Sequence, residues 1–109
     1  MNTELDKSLL DEIVKHLLNA YKPLAIYLFG SQVWGKPDTS SDMDFFIVVD
    51  KSEYDAAERI RIGLRELKGI HANVDLLVYT SSEIAEKKDH PSTLVYKVLN
   101  KGVKIYEAA

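Results

Sequence analysis

Three short apolar runs alternate with longer amphipathic stretches along the chain, and this alternation most constrains the fold. The runs cover residues 24–29, 44–50 and 74–79. The middle run is apolar at nearly every position, which is typical of a strand covered on both faces. The stretches at 4–20 and 53–68 place apolar side chains at helical spacing instead. The pattern therefore predicts a β-sheet with helices packed on it.

The second half of the chain continues this pattern with shorter elements. A short helix is expected over residues 82–88, and Pro91 suits the first turn of a last helix that Gly102 ends. Residues 103–106 alternate like an edge strand. In the 53–68 helix, the apolar side chains are expected to form the inner face and the basic ones the outer face. The inner set is Ala57, Ile60, Leu64 and Leu67, and the outer set is Arg61, Arg65 and Lys68.

Length and composition exclude several classes of function. The 109 residues predict one compact domain over 1–109 with a modest core, which leaves a stable partner or a homo-oligomer open. A net charge of −3, from 14 basic and 17 acidic residues, argues against an extended nucleic-acid surface. The chain has no cysteine, which excludes disulfides, thiolate metal sites and cysteine nucleophiles. With neither a signal-peptide pattern nor a run of membrane-span length, we expect a cytoplasmic protein without membrane contact.

A glycine and a serine follow the first apolar run, where a ligand can approach the backbone. Gly30 offers that close approach because it has no side chain. If a helix begins there, its free N–H groups and positive dipole end suit a phosphate, and the Ser31 hydroxyl adds one donor. No Gly-Lys-Ser/Thr follows, so the turn is not a Walker-type loop. The pair predicts a phosphate-binding turn.

Two aspartates stand at the start of the second apolar run. Ten residues separate Ser31 from Asp42, and Asp44 follows two positions later. Strand alternation places both carboxylates on one face, where their like charges repel. A divalent cation removes that conflict, and hard oxygen ligands with substrate phosphates suit Mg²⁺. Asp42 and Asp44 are therefore candidate metal ligands.

A third aspartate interrupts the last apolar run. Asp75 stands between Val74 and Leu76, and a lone carboxylate inside a buried strand is costly unless it is paired or metal-bound. If this strand neighbours the second, Asp75 completes a triad with Asp42 and Asp44. Three carboxylates around two cations suit in-line phosphoryl or nucleotidyl displacement. The triad predicts two Mg²⁺ ions and a nucleotide substrate.

Together these residues resemble the signature of the DNA polymerase beta-type nucleotidyltransferase superfamily, and the short length resembles its minimal nucleotidyltransferase branch. The resemblance extends over nearly the whole chain, to the closing 102–106 segment. It implies an α+β fold, an α/β sandwich with a mixed β-sheet flanked by helices. It also implies that Gly30 and Ser31 bind the triphosphate. Asp42 and Asp44 would bind metal, while Asp75 would bind the catalytic metal and help to activate the acceptor.

The resemblance also implies a reaction and a partner. Members of the minimal branch often act as antitoxins beside a small helical HEPN-type ribonuclease toxin, transferring AMP from ATP to a toxin tyrosine. Many relatives carry an arginine directly after Gly-Ser, where this chain has Gln32. The next basic residue, Lys36, is the remaining candidate for nucleotide binding. Glutamine lacks the bidentate contacts of arginine, which bears on catalytic rate more than on fold.

Two other functions remain open on the sequence. The chain can act as a catalytically weak nucleotide-binding module that neutralises a partner by occlusion. It can also transfer a nucleotide to a small molecule or an RNA end, although larger enzymes of that kind use an extra domain to hold the acceptor. Substitution of Asp42 and Asp44 separates the first alternative from an enzyme, because an occluding module does not need its carboxylates.

Overall fold

The structure, a computed structural model, describes residues 7–30, 33 and 43–109. Helices and strands lie close to their expected positions within that part of the chain. Among these residues, no helix combines the length and the apolar character needed to cross a bilayer. In chain order the elements are α1 (Lys7–Tyr21), β1 (Ala25–Phe29), β2 (Met43–Val49), α2 (Ala56–Glu66), β3 (Val74–Thr80), α3 (Ser81–Lys87), α4 (Leu94–Lys101) and β4 (Val103–Glu107).

The four strands form one mixed sheet in the order β3-β2-β1-β4. β1 runs antiparallel to both β2 and β4, whereas β2 and β3 are parallel. A parallel pair needs a crossover connection, and α2 supplies it between β2 and β3. The α+β class and the mixed β-sheet flanked by helices are confirmed, and β4 is an edge strand as expected.

The sheet separates two layers of buried side chains, and β2 contributes to both. On one face Phe45 and Ile47 pack with residues of α1 and α2. On the other face Phe46 packs with α4. Burial on both faces explains why β2 is apolar at nearly every position. Among the described residues, the largest fully buried side chains are Ile13, Leu17, Ile26, Phe45, Phe46, Ile47, Val95 and Val98.

The inner face expected for α2 is wrong in part. Ala57 is exposed, and Leu64 keeps 44% of its surface in solvent. Arg59 and Gly63 are buried in their place, so the helix is rotated relative to its apolar pattern. Leu67 is buried as expected. The basic outer face is confirmed, since Arg61, Arg65 and Lys68 are all exposed.

Arg59 can occupy the interior because its guanidinium is bonded there. Its Nε donates to the carbonyl of Tyr54 at 2.9 Å, and its Nη1 donates to the carbonyl of Val78 at 3.3 Å. Nη1 also donates to a carboxylate oxygen of Glu83 at 2.8 Å. A buried charge with a carboxylate partner and further hydrogen bonds avoids most of the desolvation penalty. Arg59 thus joins α2 to β3 and α3.

The start of α4 also differs from expectation. Pro91 lies in the preceding turn, and the helix begins at Leu94 after the N-cap Thr93. The Thr93 hydroxyl accepts from the backbone N–H of Tyr96 at 3.2 Å, which makes it the better start signal. Gly102 ends the helix as expected, with its N–H donating to the Val98 carbonyl at 2.8 Å.

Candidate active site

The parallel pairing of β2 and β3 brings two of the candidate carboxylates together. Asp44 and Asp75 are direct register partners on the two strands. Register partners point to the same face, and neighbouring strands lie roughly 4.8 Å apart. The expectation that the third strand neighbours the second is confirmed. The shared face is also that of Phe46 and Leu77, which contribute to the α4-side core farther along the strands.

The two carboxylates differ in their exposure to solvent. Asp44 is half-buried, whereas Asp75 is exposed. The expectation that Asp75 is a buried carboxylate is wrong, because it is the second residue of an edge strand and precedes the strand's buried part. Its place beside Asp44, and not the cost of burial, therefore makes it a candidate. An exposed carboxylate is within reach of a second substrate.

Gly30 directly follows β1 and lies against Asp44. Phe29, the last residue of β1, is the register partner of Asp44. Gly30 has φ +81°, and an added Cβ would lie 2.9 Å from Cγ of Asp44 and closer still to its Oδ2. Both the backbone conformation and the space thus require glycine. Its carbonyl accepts from the N–H of Val33 at 3.0 Å.

Four of the residues singled out in the sequence lie outside the described part of the chain. They are Ser31, Gln32, Lys36 and Asp42. The described chain resumes at Met43, whose N–H donates to the carbonyl of Asn73 at 2.9 Å and fixes the start of β2 beside β3. Among the described residues, no three His, Asp or Glu side chains form a metal-binding group. The described site thus contains two of the three candidate ligands.

The described residues fit a hard divalent cation. Two carboxylates opposite each other on neighbouring strands can share one divalent cation. Carboxylate oxygens combined with substrate phosphates are the ligands that Mg²⁺ prefers. Gly30 has no side chain, which lets the Asp44 carboxylate lie directly against its backbone. Asp44 and Asp75 can therefore hold a metal ion together with a nucleotide.

A cluster of aromatic rings, which the sequence pattern did not predict, lies beneath this site. Phe46, two residues after Asp44 on the same face, stacks on Tyr79 with ring centroids 4.9 Å apart. Its edge-to-face contacts with Phe29 and Tyr27 have centroid distances of 6.3 and 6.1 Å. The cluster joins β1, β2 and β3, so it fixes the strands that present Gly30, Asp44 and Asp75. Strand alternation from Asp44 was the signal that could have placed Phe46 on this face.

Comparisons with known proteins agree with this geometry. A family model described as polymerase beta, nucleotidyltransferase, matches residues 11–109. A Sulfolobus solfataricus protein described as a nucleotidyltransferase has a TM-score of 0.63 at 24% identity, over 92% of this chain and 78% of that chain. A chain from a toxin–antitoxin structure with AMP-PNP has a TM-score of 0.60 at 20% identity, over 95% of this chain and 75% of that chain. The sequence matches no curated protein.

The two structural relatives share the fold, and the family match includes every described element of the sheet. It also includes both carboxylates and the glycine that packs against one of them. The chain belongs to the polymerase beta nucleotidyltransferase family.

Proposed function

We propose that the protein is a magnesium-dependent nucleotidyltransferase that transfers AMP from ATP to a protein hydroxyl. The observation that carries this proposal is the register pair of Asp44 and Asp75 beside Gly30. Asp42 is proposed as the third ligand on its sequence spacing, and Ser31 and Lys36 as further contacts to the triphosphate. The family of the chain supports the class of reaction.

Each residue has a role that follows from its position. Asp44, half-buried against Gly30, would hold Mg²⁺ together with Asp42 and Asp75. Bound Mg²⁺ would neutralise phosphate charge and make the acceptor hydroxyl easier to deprotonate. Gly30 would let the triphosphate lie against the backbone. Asp75, which is exposed, would orient the acceptor hydroxyl and receive its proton.

The reaction is a substitution at the α-phosphorus of ATP. The acceptor oxygen forms a bond to that phosphorus, and the bond from phosphorus to the oxygen bridging to the β-phosphate breaks. Pyrophosphate leaves with the electron pair of the broken bond, and the proton of the acceptor passes to Asp75 or to solvent. The residues supply position and charge, which are the main needs of phosphoryl-type transfer.

For the acceptor, we propose a protein partner, a HEPN-type ribonuclease toxin that the chain silences as its antitoxin. β3 is an edge strand of the described sheet, so Asp75 can be approached by another chain. One structural relative comes from a toxin–antitoxin structure containing AMP-PNP, which is in keeping with both the nucleotide and the partner.

Label transfer tests the proposal. The protein is incubated with ATP labelled at the α-phosphate, Mg²⁺ and a lysate of the source cell, with Asp44→Asn and Asp75→Asn variants in parallel. Asp50→Asn is the matched control, because Asp50 is exposed just beyond the other end of β2. We expect a labelled protein band with the unmodified chain and the control. Loss of a metal-binding carboxylate should reduce the label roughly 100-fold or more, and EDTA should remove it.

The alternatives give different results in the same assay. Equal labelling by folded Asp44→Asn and Asp75→Asn variants would rule out the proposed site. A labelled RNA or small molecule would keep the reaction and change the acceptor. Full neutralisation of the partner by a variant that transfers no label would show that the protein acts by occlusion.

A further inference from the structure

A cavity of about 600 Å³ lies at the opposite end of β2 from Asp44. Its walls include Val49 and Val78, near the carboxyl ends of the parallel strands β2 and β3. Val49 lies five positions after Asp44, which is roughly 17 Å along a strand. Ligands of α/β sheets commonly bind outside the carboxyl ends of parallel strands, in cavities of about 300–1,000 Å³. Position and size thus suit a small molecule other than the nucleotide at Asp44.

The cavity has an apolar body. Aliphatic side chains of Val49, Ile62 and Val78 line it, and the rings of Tyr21 and Tyr54 add to the walls. The Tyr21 hydroxyl already donates to the backbone carbonyl of Arg59. Tyr54 is 53% exposed, so its ring can close over a ligand without leaving the core. These surfaces favour an apolar or aromatic group.

The cavity also has an incompletely bonded cation. Arg59 lines it and is nine-tenths buried. Its Nε and Nη1 are bonded to Tyr54, Val78 and Glu83, but within residues 7–30, 33 and 43–109 its Nη2 has no hydrogen-bond partner. A guanidinium nitrogen with free donors in a partly buried place is a strong site for a carboxylate.

Two further charged side chains line the cavity and set its charge. Lys51 contributes a second cation, and Glu53 contributes one carboxylate. Together with Arg59 and its ion-pair partner Glu83, these side chains sum to zero formal charge, so an anion would be held by the donors of Nη2 and Lys51 and not by a net positive charge. One negative charge satisfies them, whereas a second would face the Glu53 carboxylate. The chemistry therefore selects a monoanion.

We propose that this cavity binds a small monocarboxylate with an apolar body. The carboxylate accepts hydrogen bonds from Arg59 and Lys51, and the body packs between Tyr54 and the aliphatic wall. This site is independent of the proposed nucleotidyl transfer.

Amide chemical-shift titration of the full chain tests the proposal, with phenylacetate as the probe and 2-phenylacetamide as its neutral counterpart. We expect phenylacetate to shift amides at Val49, Tyr54, Ile62 and Val78 and to leave Asp44 and Asp75 unaffected. Phenylacetamide should bind roughly tenfold more weakly, the effect of losing one charge-assisted hydrogen bond.

Three surface variants show whether the contacts are the proposed ones. Lys51→Gln and Tyr54→Ala change exposed residues of the cavity, so the fold should persist. Both should weaken phenylacetate binding several-fold, while Lys68→Gln, beyond the other end of α2, should not. Absence of shifts, shifts centred elsewhere, or equal binding of the acid and the amide would overturn the proposal.

Discussion

Gly30 and Gly69 both adopt a left-handed backbone conformation, but only Gly30 lies against a side chain. Their φ values are +81° and +98°. An added Cβ at Gly30 would overlap the Asp44 carboxylate, whereas at Gly69 it would meet no atom of the described residues within 4 Å. The two glycines therefore separate the cost of the backbone conformation from damage to the site.

We expect Gly30→Ala and Gly69→Ala to lose stability and only Gly30→Ala to lose label transfer. An alanine in the left-handed region costs about 1–2 kcal/mol in either place. At Gly30 the Asp44 carboxylate must also move, which should reduce transfer at least roughly tenfold. Urea unfolding and the labelling assay measure the two effects. Normal transfer by Gly30→Ala would contradict the close packing against Asp44.

At the scale of single residues, the sequence predicted which carboxylates lie side by side at the site better than it predicted their exposure to solvent. The pairing of Asp44 with Asp75 could be expected once β2 and β3 were placed side by side, because alternation sets which side chains share a face. The exposure of Asp75 could not be expected from alternation, because it depends on where helices cover the sheet. The apolar neighbours of Asp75 in the sequence were a poor guide to its burial, because Val74 and Leu76 point to the opposite face of the sheet.

Among the elements, α2 packs closely through Gly63, whereas Leu64 on the same helix is exposed. An added Cβ at Gly63 would lie 2.5 Å from Cδ1 of Leu76 and 2.9 Å from Cε2 of Tyr21. We expect Gly63→Ala to destabilise the protein by about 1–3 kcal/mol through overpacking, although alanine is the better helix former. Leu64→Ala, at an exposed position, should change stability by less than about 0.5 kcal/mol. Urea unfolding compares them, and a larger loss for Leu64→Ala would restore the face expected from the sequence.

The true inner face of α2 could not be predicted from helical spacing, because Arg59 is bonded to distant parts of the chain. Val78 and Glu83 lie 19 and 24 residues away. Helical spacing places an arginine on the outer face by its charge, and it places a leucine on either face according to the residues nearby in sequence. The tertiary contacts override that preference. By contrast, the ends of α4 were set locally, and its glycine stop was predicted correctly.

The Arg59–Glu83 ion pair gives the protein an acid-sensitive contact at the start of α3. Burial alone would raise the Glu83 pKa, but the Thr80 N–H and the Arg59 guanidinium lower it below the ordinary value of 4.5. The stabilisation is therefore complete above that value and is lost as pH falls through the lowered pKa. We expect Glu83→Gln to be less stable than the unmodified protein at neutral pH, with a smaller difference in acid. Urea unfolding at both pH values measures this, with exposed Glu86→Gln as control. A difference that grows in acid would have the wrong sign.

At the scale of the whole molecule, a single sheet links two cores that do not otherwise merge. Ile13 is fully buried on the α1 side and Val98 on the α4 side. We expect Ile13→Ala to cost roughly 2–5 kcal/mol and Val98→Ala about 2 kcal/mol. Because β2 lies in both cores, each variant should still unfold in one transition by far-UV and near-UV circular dichroism. Separate transitions would show that the two layers are independent.

The strand order needed more than the pattern of the sequence. Leu28 in β1 pairs with Val103 in β4, and within the described residues three helices and two strands lie between these strands in the sequence. Strand length and alternation predict that β4 exists and lies at an edge, but not which neighbour it takes. The mixed sheet was anticipated through the family resemblance, which supplied the long-range pairing that local spacing cannot.

Asp44 and Asp75 each stand one residue inside the start of their strands, and neither side chain is fully buried. Evolution can therefore alter the chemistry at Asp44 and Asp75 without repacking the interior. A lineage descended from this protein could abandon catalysis through one substitution and still present the same outer shape to whatever it binds. The fold thus offers a short evolutionary route from an enzyme to a pure recognition module.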